Sequence, residues 1–158
     1  MKAPEVIGRR PQGPATESPL VFHGTADDFD RFEVFGLGVH FTNDRTIAEK
    51  FTGGRDGWIV AARLLIRRPL RLPDLATWGV HDVVANALDR GGLDAGQAAA
   101  LREAISNATY DDRDFHAALA ANGFDGLVYD NRVEGGGDSY VAFRAQQIRI
   151  VERFRPGG

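Results

Sequence analysis

Two histidines, each beside a short apolar run bordered by glycine, are the residues best suited to chemistry in the first third of the chain. His23 follows the run PLVF and precedes Gly24 and Thr25, and His40 lies within the run VHF that follows Gly38. An imidazole can donate, accept or transfer a proton near neutral pH. A neighbouring glycine lets a ligand approach the backbone closely. The pattern therefore predicts a binding or catalytic site rather than packing alone.

The bulk properties limit the classes of protein to consider. A chain of 158 residues, 43% hydrophobic and 26% charged, is typical of one soluble globular domain. The net charge of -3 argues against a protein that binds nucleic acid avidly. No apolar run is long enough to span a bilayer, so we expect a cytoplasmic protein with no membrane partner.

The absence of cysteine excludes disulfides, thiolate catalysis and cysteine-ligated zinc. The four histidines are too scattered to form a metal-binding motif, and we expect no metal.

The predicted strands lie toward both ends of the chain, with predicted helices between them. Residues 1–18, which contain three of the seven prolines, are predicted to be an N-terminal tail, and residues 19–156 a single domain. Helical patterns lie in residues 74–121. Apolar runs predict strands at 19–24, 39–42, 58–66, 126–129, 139–143 and 147–154, with 58–66 in the interior of a sheet. Strands at both ends with helices between them predict an α+β fold.

Two segments near the histidines are predicted separately. Residues 25–38 alternate acids with phenylalanines, which fits a short helical turn or a loop anchored by aromatics that covers the site. After the second strand, Asn43 or Asp44 is expected to cap a short helix with Ile47, Ala48 and Phe51 facing inward.

The motifs around both histidines resemble those of the ADP-ribosyltransferase superfamily, in its diphtheria-toxin and poly-ADP-ribose-polymerase branch and that branch's small phage- and toxin-associated relatives. His23-Gly24-Thr25 looks like the H-G-[ST] of that branch, and GLGVHF (36–41) is similar to G-x-G-[IV]-Y-F with histidine in place of tyrosine. Phe51 follows His40 by eleven residues, where the family has a second aromatic. GFDGLVY (123–129) and DSYVAF (138–143) resemble the closing strands of phage-associated members.

The resemblance, which extends from about Leu20 to Arg153, implies a fold, a substrate and roles for residues. The fold would be two small, mostly antiparallel sheets enclosing a cleft for NAD+, the substrate. His23 would bind a ribose hydroxyl, the Gly24 backbone would pair with the carboxamide, and His40 and Phe51 would sandwich the nicotinamide. The remaining contacts to NAD+ would come from Thr25, Gly38, Phe41 and Ser139.

Each of these residues also has a simpler interpretation when taken alone. His23 could cap a strand end, His40 could be a half-buried core imidazole, and Phe51 could be an ordinary core residue. If His40 does replace the family's tyrosine, an imidazole that titrates near neutrality predicts a loss of activity at acidic pH.

The catalytic carboxylate is where the sequence departs from the family pattern. The polymerase branch has glutamate in the position of Ser139. Asp138 is adjacent but would point to the opposite face of a strand. Glu134 lies in a glycine-rich loop that we expect to be mobile, so that its longer side chain could swing into the cleft. We favour Glu134, with Asp138 and Ser139 as alternatives.

The resemblance predicts a toxin-like, phage-associated mono-ADP-ribosyltransferase that acts on a protein or nucleic-acid acceptor and has a possible antitoxin or inhibitor partner. Three alternatives remain open. The protein could be an NAD+ glycohydrolase, a non-catalytic NAD+- or protein-binding module, or an RNA phosphotransferase of the same fold. The last alternative lacks the expected arginines beside His23.

Overall fold

Seven strands pair into one sheet in the computed structural model, which describes residues 17–157. The strands are β1 (Val21–Thr25), β2 (Val39–Thr42), β3 (Trp58–Leu64), β4 (Pro69–Leu72), β5 (Gly126–Asp130), β6 (Asp138–Ala142) and β7 (Ile148–Phe154). Their order across the sheet is β4-β5-β6-β2-β1-β3-β7. All neighbours are antiparallel except β4 and β5, which are parallel.

The junction between β1 and β2 divides the sheet into two halves. One register pair, Phe22 opposite Thr42, joins these strands, whereas each of the other junctions in the described chain has at least four pairs. The predicted α+β class is confirmed, but the predicted two-sheet arrangement is not what the structure shows. The two halves remain one hydrogen-bonded sheet because β1 and β2 still meet at this single point.

Four α-helices and one 3-10 turn complete the described chain. They are α1 (Arg45–Glu49), α2 (Val80–Asp89), α3 (Ala95–Ser106), α4 (Asp112–Ala121) and the turn Ala145–Gln147. Aspartates cap three helices: the side chains of Asp44, Asp94 and Asp111 accept hydrogen bonds from backbone N–H groups of the first turns of α1, α3 and α4.

Each half of the sheet has its own core. Side chains from α2, α3 and α4 pack with those of β4, β5 and β6, with Val84, Phe115, Leu119 and Leu127 fully buried. In the other half, β1, β2 and β3 pack with the segment between β1 and β2, through residues such as Val21, Phe32, Phe41 and Leu64. The cleft described below lies near the junction of these two halves.

Several local predictions need adjustment. The long apolar strand is β3, which ends at Leu64 rather than at residue 66; it pairs with β1 on one side and β7 on the other, so it lies in the interior of the sheet as predicted. Residues 26–38 form no regular element, so the loop interpretation is the right one. Two residues of the predicted tail are described: Glu17 pairs with Arg149, and Ser18 is hydrogen-bonded to Leu64 in both directions. Residues 1–16 of the predicted tail lie outside the described residues.

The end of α1 packs directly on Gly24 of β1. A Cβ at Gly24 would lie 1.8 Å from the carbonyl oxygen of Ala48 and 3.2 Å from the Cβ of Phe51. The space that a side chain would occupy here is therefore filled by the helix, not held open for a ligand. Gly24 thus lets α1 bring Phe51 next to the strand that contains His23.

We expect Gly24→Ala to destabilise the protein by about 1–3 kcal/mol, because α1 would have to move away from β1 to relieve the overlap. Thermal or denaturant unfolding measures this change. Gly96→Ala is the matched control, since Gly96 is exposed on α3, where alanine is the better helix former, so stability should stay equal or rise slightly. Equal stabilities of Gly24→Ala and wild type would contradict the packing role.

Candidate active site

A cleft of about 330 Å³ lies between β1, β2, the end of α1 and the two segments 73–79 and 131–137. Its aromatic and imidazole lining is Phe22, His23, His40, Phe41, Phe51, Trp78 and Tyr129. Its remaining lining is Gly24, Thr42, Ile47, Ala48, Asp74, Ala76, Asn131, Val133, Glu134 and Ser139. The volume lies at the lower end of the range for small-molecule sites.

His23 is held by a hydrogen bond across the sheet junction. Its Nδ1 lies 2.7 Å from the carbonyl oxygen of His40, and its ring packs against the rings of Phe32 and Phe41. Burial lowers the pKa of His23, and the hydrogen bond to the carbonyl only partly opposes this shift. A carbonyl can only accept, so Nδ1 has the proton and Nε2 of the neutral ring is an acceptor.

His40 is a neutral imidazole at physiological pH. Burial lowers its pKa to about 4, and the neighbouring His23 adds to the shift. Its Nδ1 lies 3.0 Å from the hydroxyl of Tyr129, and Trp78 meets the ring edge-on with centroids 5.4 Å apart. The expected titration of His40 near neutrality is therefore displaced to much lower pH by desolvation.

A chain of buried polar groups connects His40 with the loop 131–137. The amide Nδ2 of Asn131 lies 3.2 Å from Ser139 Oγ, and Ser139 hydrogen-bonds the Tyr129 hydroxyl. Burial raises the pKa of Tyr129 to about 12, so this hydroxyl keeps its proton and can donate to His40 Nδ1. Asn131 donates to Ser139, Ser139 donates to Tyr129, and Tyr129 donates to His40 Nδ1. In this direction each hydroxyl both accepts and donates one hydrogen bond.

Glu134 lines the cleft and is fixed by the same amide. Its Oε2 accepts a second hydrogen bond from Asn131 Nδ2 at 3.2 Å, and its backbone carbonyl accepts one from Lys50 Nζ at 2.7 Å. The loop is closed on itself by Gly136 N–H donating to Asn131 O and Asn131 N–H donating to Gly137 O. The carboxylate therefore reaches the cleft without the swing that we expected of a mobile loop.

The two alternative positions for the acid do not offer a carboxylate to the cleft. Asp138 forms a bidentate ion pair with Arg71, with both N···O distances 3.0 Å, and is not among the residues that line the cleft. Ser139 does line the cleft, but it is 1% exposed and its hydroxyl is occupied by Asn131 and Tyr129. Of the three candidates, only Glu134 has a carboxylate in the cleft.

Of the other residues predicted to bind the substrate, some line the cleft and others lie outside it. Phe51 is 52% exposed at the cleft and lies just beyond α1, so it is not the inward-facing helix residue that we expected. Phe41 is buried between core and cleft.

Thr25 is not a lining residue, and its Oγ1 accepts from the backbone of Asp27. Gly38 lines a second cavity of about 620 Å³ whose walls also include His23 and His40.

Several cleft residues, among them Asp74, Trp78 and Tyr129, were not predicted as parts of the site. Asp74 and Trp78 lie on the segment between β4 and α2, where no motif or periodicity marks them. Tyr129 appeared only as a strand residue in the closing motif. The alternation along β5 could have indicated that Tyr129 shares a face with Leu127, but only the neighbouring strand shows that this face reaches His40.

The cleft is aromatic and negatively charged. Asp74 and Glu134 supply two carboxylates, whereas both imidazoles are neutral. No lysine or arginine within residues 17–157 lines it; Lys50 approaches only the backbone carbonyl of Glu134. Such walls favour a flat ring with a positive charge, because aromatic faces and carboxylates both attract cations.

The described residues contain neither a metal-binding group of side chains nor a membrane-spanning helix. Between residues 17 and 157, no three histidine, aspartate or glutamate side chains are grouped to hold a metal ion. None of the helices in that range is long and apolar enough to cross a bilayer.

The family match decides the affiliation of the chain. The sequence profile of ART-PolyVal, described as "ADP-Ribosyltransferase in polyvalent proteins", matches residues 17–154. The chain belongs to this family. It is thus an ADP-ribosyltransferase domain, and NAD+ is the substrate that ADP-ribosyltransferases use in general.

Comparison with other proteins adds little to the family match. A search of curated proteins finds no match. A solved structure titled "Crystal structure of an anti-CRISPR protein" is 19% identical and superposes with a TM-score of 0.42, covering 88% of this chain and 100% of the other. At this similarity the second protein supports no inference about this chain.

We expect the ADP-ribosyltransferase domain to lose stability as the pH falls from about 6.5 to about 4. In that window the unfolded chain binds a proton that folded His40 does not bind, so the free energy of unfolding rises with pH. The loss assigned to His40 is on the order of 3 kcal/mol, with His23 contributing in the same direction. Denaturant unfolding at a series of pH values measures it.

His40→Phe keeps a ring but removes the titrating group, so the dependence of stability on pH should become shallower. His81→Gln, which changes an exposed histidine on α2, is the control and should keep the wild-type dependence. An unchanged slope in His40→Phe would show that another group is responsible.

Proposed function

We propose that the protein is a mono-ADP-ribosyltransferase that binds the nicotinamide end of NAD+ in the cleft and transfers ADP-ribose to a macromolecular acceptor. The walls of the cleft support this most: they are aromatic rings, two carboxylates and two neutral imidazoles, and residues 17–157 add no cationic side chain to them. The nicotinamide ring of NAD+ is flat and cationic, and it matches both properties.

The neutral state of the imidazoles suits the substrate. A protonated histidine beside a nicotinamide cation would repel it, and burial of His23 and His40 avoids that repulsion. Nε2 of His23 is an acceptor and can bind a ribose hydroxyl, which donates. We further propose that the rest of NAD+ extends toward the second cavity, whose walls also contain His23 and His40.

The reaction needs little acid catalysis. The bond between C1′ of the ribose and the nicotinamide nitrogen breaks, and its electron pair neutralises the ring, which leaves as nicotinamide. The acceptor's nucleophile forms the new bond to C1′ and gives up its proton. Glu134, in its fixed position, would orient that nucleophile, accept its proton and stabilise the positive charge that develops on the ribose.

Labelled NAD+ incubated with the protein and a cell lysate tests the proposal directly. A transferase transfers the label to protein or nucleic acid and releases nicotinamide. Free ADP-ribose without labelled macromolecule would instead identify a glycohydrolase. Unchanged NAD+ in the presence of measurable binding would refute catalysis.

We expect Glu134→Gln to lower turnover at least tenfold, which corresponds to about 1.4 kcal/mol of transition-state stabilisation, with a smaller effect on KM. His23→Ala should lower turnover by at least the same factor. Steady-state nicotinamide release measures both variants. Asp138→Asn is the control for Glu134→Gln, since its carboxylate pairs with Arg71 outside the cleft. An inactive Asp138→Asn beside a fully active Glu134→Gln would assign the acid to Asp138.

We expect Asn131→Asp to lower turnover at least tenfold and to move the acid limb of the pH-rate profile to higher pH. A second carboxylate next to Glu134 removes its hydrogen-bond donor and disfavours a further negative charge. Asn122→Asp is the matched control, because the Asn122 amide also donates two hydrogen bonds, to Gly92 and Gln97, but outside the cleft. An identical pH profile in Asn131→Asp and Asn122→Asp would mean that Asn131 acts only through stability.

A further inference from the structure

The segment between β4 and α2 has an unusual backbone where it lines the cleft. Ala76 and Trp78 have φ values of 60° and 56°, in the left-handed region that residues with a Cβ rarely occupy. Each such residue costs of order 1 kcal/mol and persists only where surrounding contacts impose it. Gly79, which would tolerate this conformation freely, is the neighbouring residue and does not adopt it.

Asp74 accepts two backbone hydrogen bonds, one from within this segment and one from the opposite loop. Its Oδ1 accepts from the backbone N–H of Ala76 at 3.0 Å, and its Oδ2 accepts from the backbone N–H of Val133 at 2.9 Å. One carboxylate thus shapes the Trp78 segment and ties it to the loop that contains Glu134. The two segments lie about 60 residues apart in the sequence but form adjacent walls of the cleft.

The Trp78 indole lies among the cleft aromatics rather than away from the site. Its ring is 4.5 Å from that of Tyr129 and 5.4 Å from that of His40, centroid to centroid, and it lines the cleft together with Asp74 and Glu134. Indole attracts a cation more strongly than the other aromatic side chains do. Neither of the histidine–glycine motifs contains this residue.

We propose that Trp78 is a substrate-contacting residue that, with the carboxylates of Asp74 and Glu134, makes the cleft select a positively charged pyridinium ring over a neutral one. This rests on the proposed function for the identity of the ring, but not on any turnover. Such selectivity favours NAD+ over reduced cofactor and disfavours retention of the nicotinamide product, which is uncharged.

The simpler role for Trp78 is to cover the core, since its ring also packs against the hydrophobic cluster beneath α2. In that role Trp78 would not respond to a ligand in the cleft. The chain contains two tryptophans, so the difference can be measured by fluorescence. The other, Trp58 at the start of β3, packs under the guanidinium groups of Arg153 and Arg155 and is not a lining residue.

The experiment uses Trp58→Phe, in which Trp78 is the only fluorophore of its kind, and two ring probes that cannot undergo transfer. The probe 1-methylnicotinamide is cationic, and nicotinamide has the same ring without the charge. We expect saturable quenching by both, with a dissociation constant at least about fivefold lower for the cation. The matched variant Trp78→Phe, which keeps Trp58, should show no quenching.

Glu134→Gln in the Trp58→Phe background tests the charge component. Removing one carboxylate should reduce the preference for the cation at least about twofold while nicotinamide binding changes little. If Trp78→Phe does not fold, the quenching in Trp58→Phe and its dependence on Glu134 still decide the question. Equal affinities for the two probes, or no quenching of Trp78, would overturn the proposal.

These outcomes separate this proposal from the transferase activity. Selective quenching by 1-methylnicotinamide in a protein that does not cleave NAD+ would support the ring site and refute the proposed reaction. Cleavage of NAD+ by a protein whose Trp78 does not respond to either probe would leave the reaction in place and remove Trp78 from the site.

Discussion

The hydrogen bond from His23 Nδ1 to the His40 carbonyl joins the two halves of the sheet where strand pairing is reduced to a single register pair. A side chain here replaces the backbone bonds that β1 and β2 would otherwise form. Beyond this point β1 and β2 separate, which leaves room for a cleft. The imidazole of His23 spans the space between the two strands. The same bond fixes the tautomer of His23, so the structural contact also determines which nitrogen can meet a ligand.

The burial of the polar groups at this junction explains the electrostatics of the site. Burial keeps both imidazoles uncharged at physiological pH and keeps the Tyr129 hydroxyl protonated. The polar groups remain satisfied because Asn131, Ser139 and Tyr129 donate in sequence toward His40. Asn131 also donates to Glu134. One buried amide is therefore hydrogen-bonded both to the uncharged chain that leads to His40 and to the carboxylate of Glu134. A cleft with neutral imidazoles and two carboxylates is suited to a cation.

Ser139 is the position where the polymerase branch has glutamate, and one of the two carboxylates that line the cleft lies in the adjoining loop. Ser139 lies opposite Tyr129 in the pairing of β5 and β6, and the loop that joins these strands contains Glu134. The Ser139 hydroxyl accepts a hydrogen bond from Asn131, and Glu134 precedes Ser139 by five residues. Hydrogen bonds from Lys50 and Asn131 and to Asp74 connect this glycine-rich loop to the other walls of the cleft.

The sequence by itself determined the strands and the family, together with the histidine pair and Phe51, because these features are local. Strand, turn and short helix follow one another within 21–51, and their spacing places His23, His40 and Phe51 around one cleft. Only the tertiary structure decided which acid enters the cleft and that Trp78 and Asp74 line it. Those positions depend on the register of β5 with β6 and on a hydrogen bond between segments about 60 residues apart. Periodicity and local propensity contain no information about such long-range contacts.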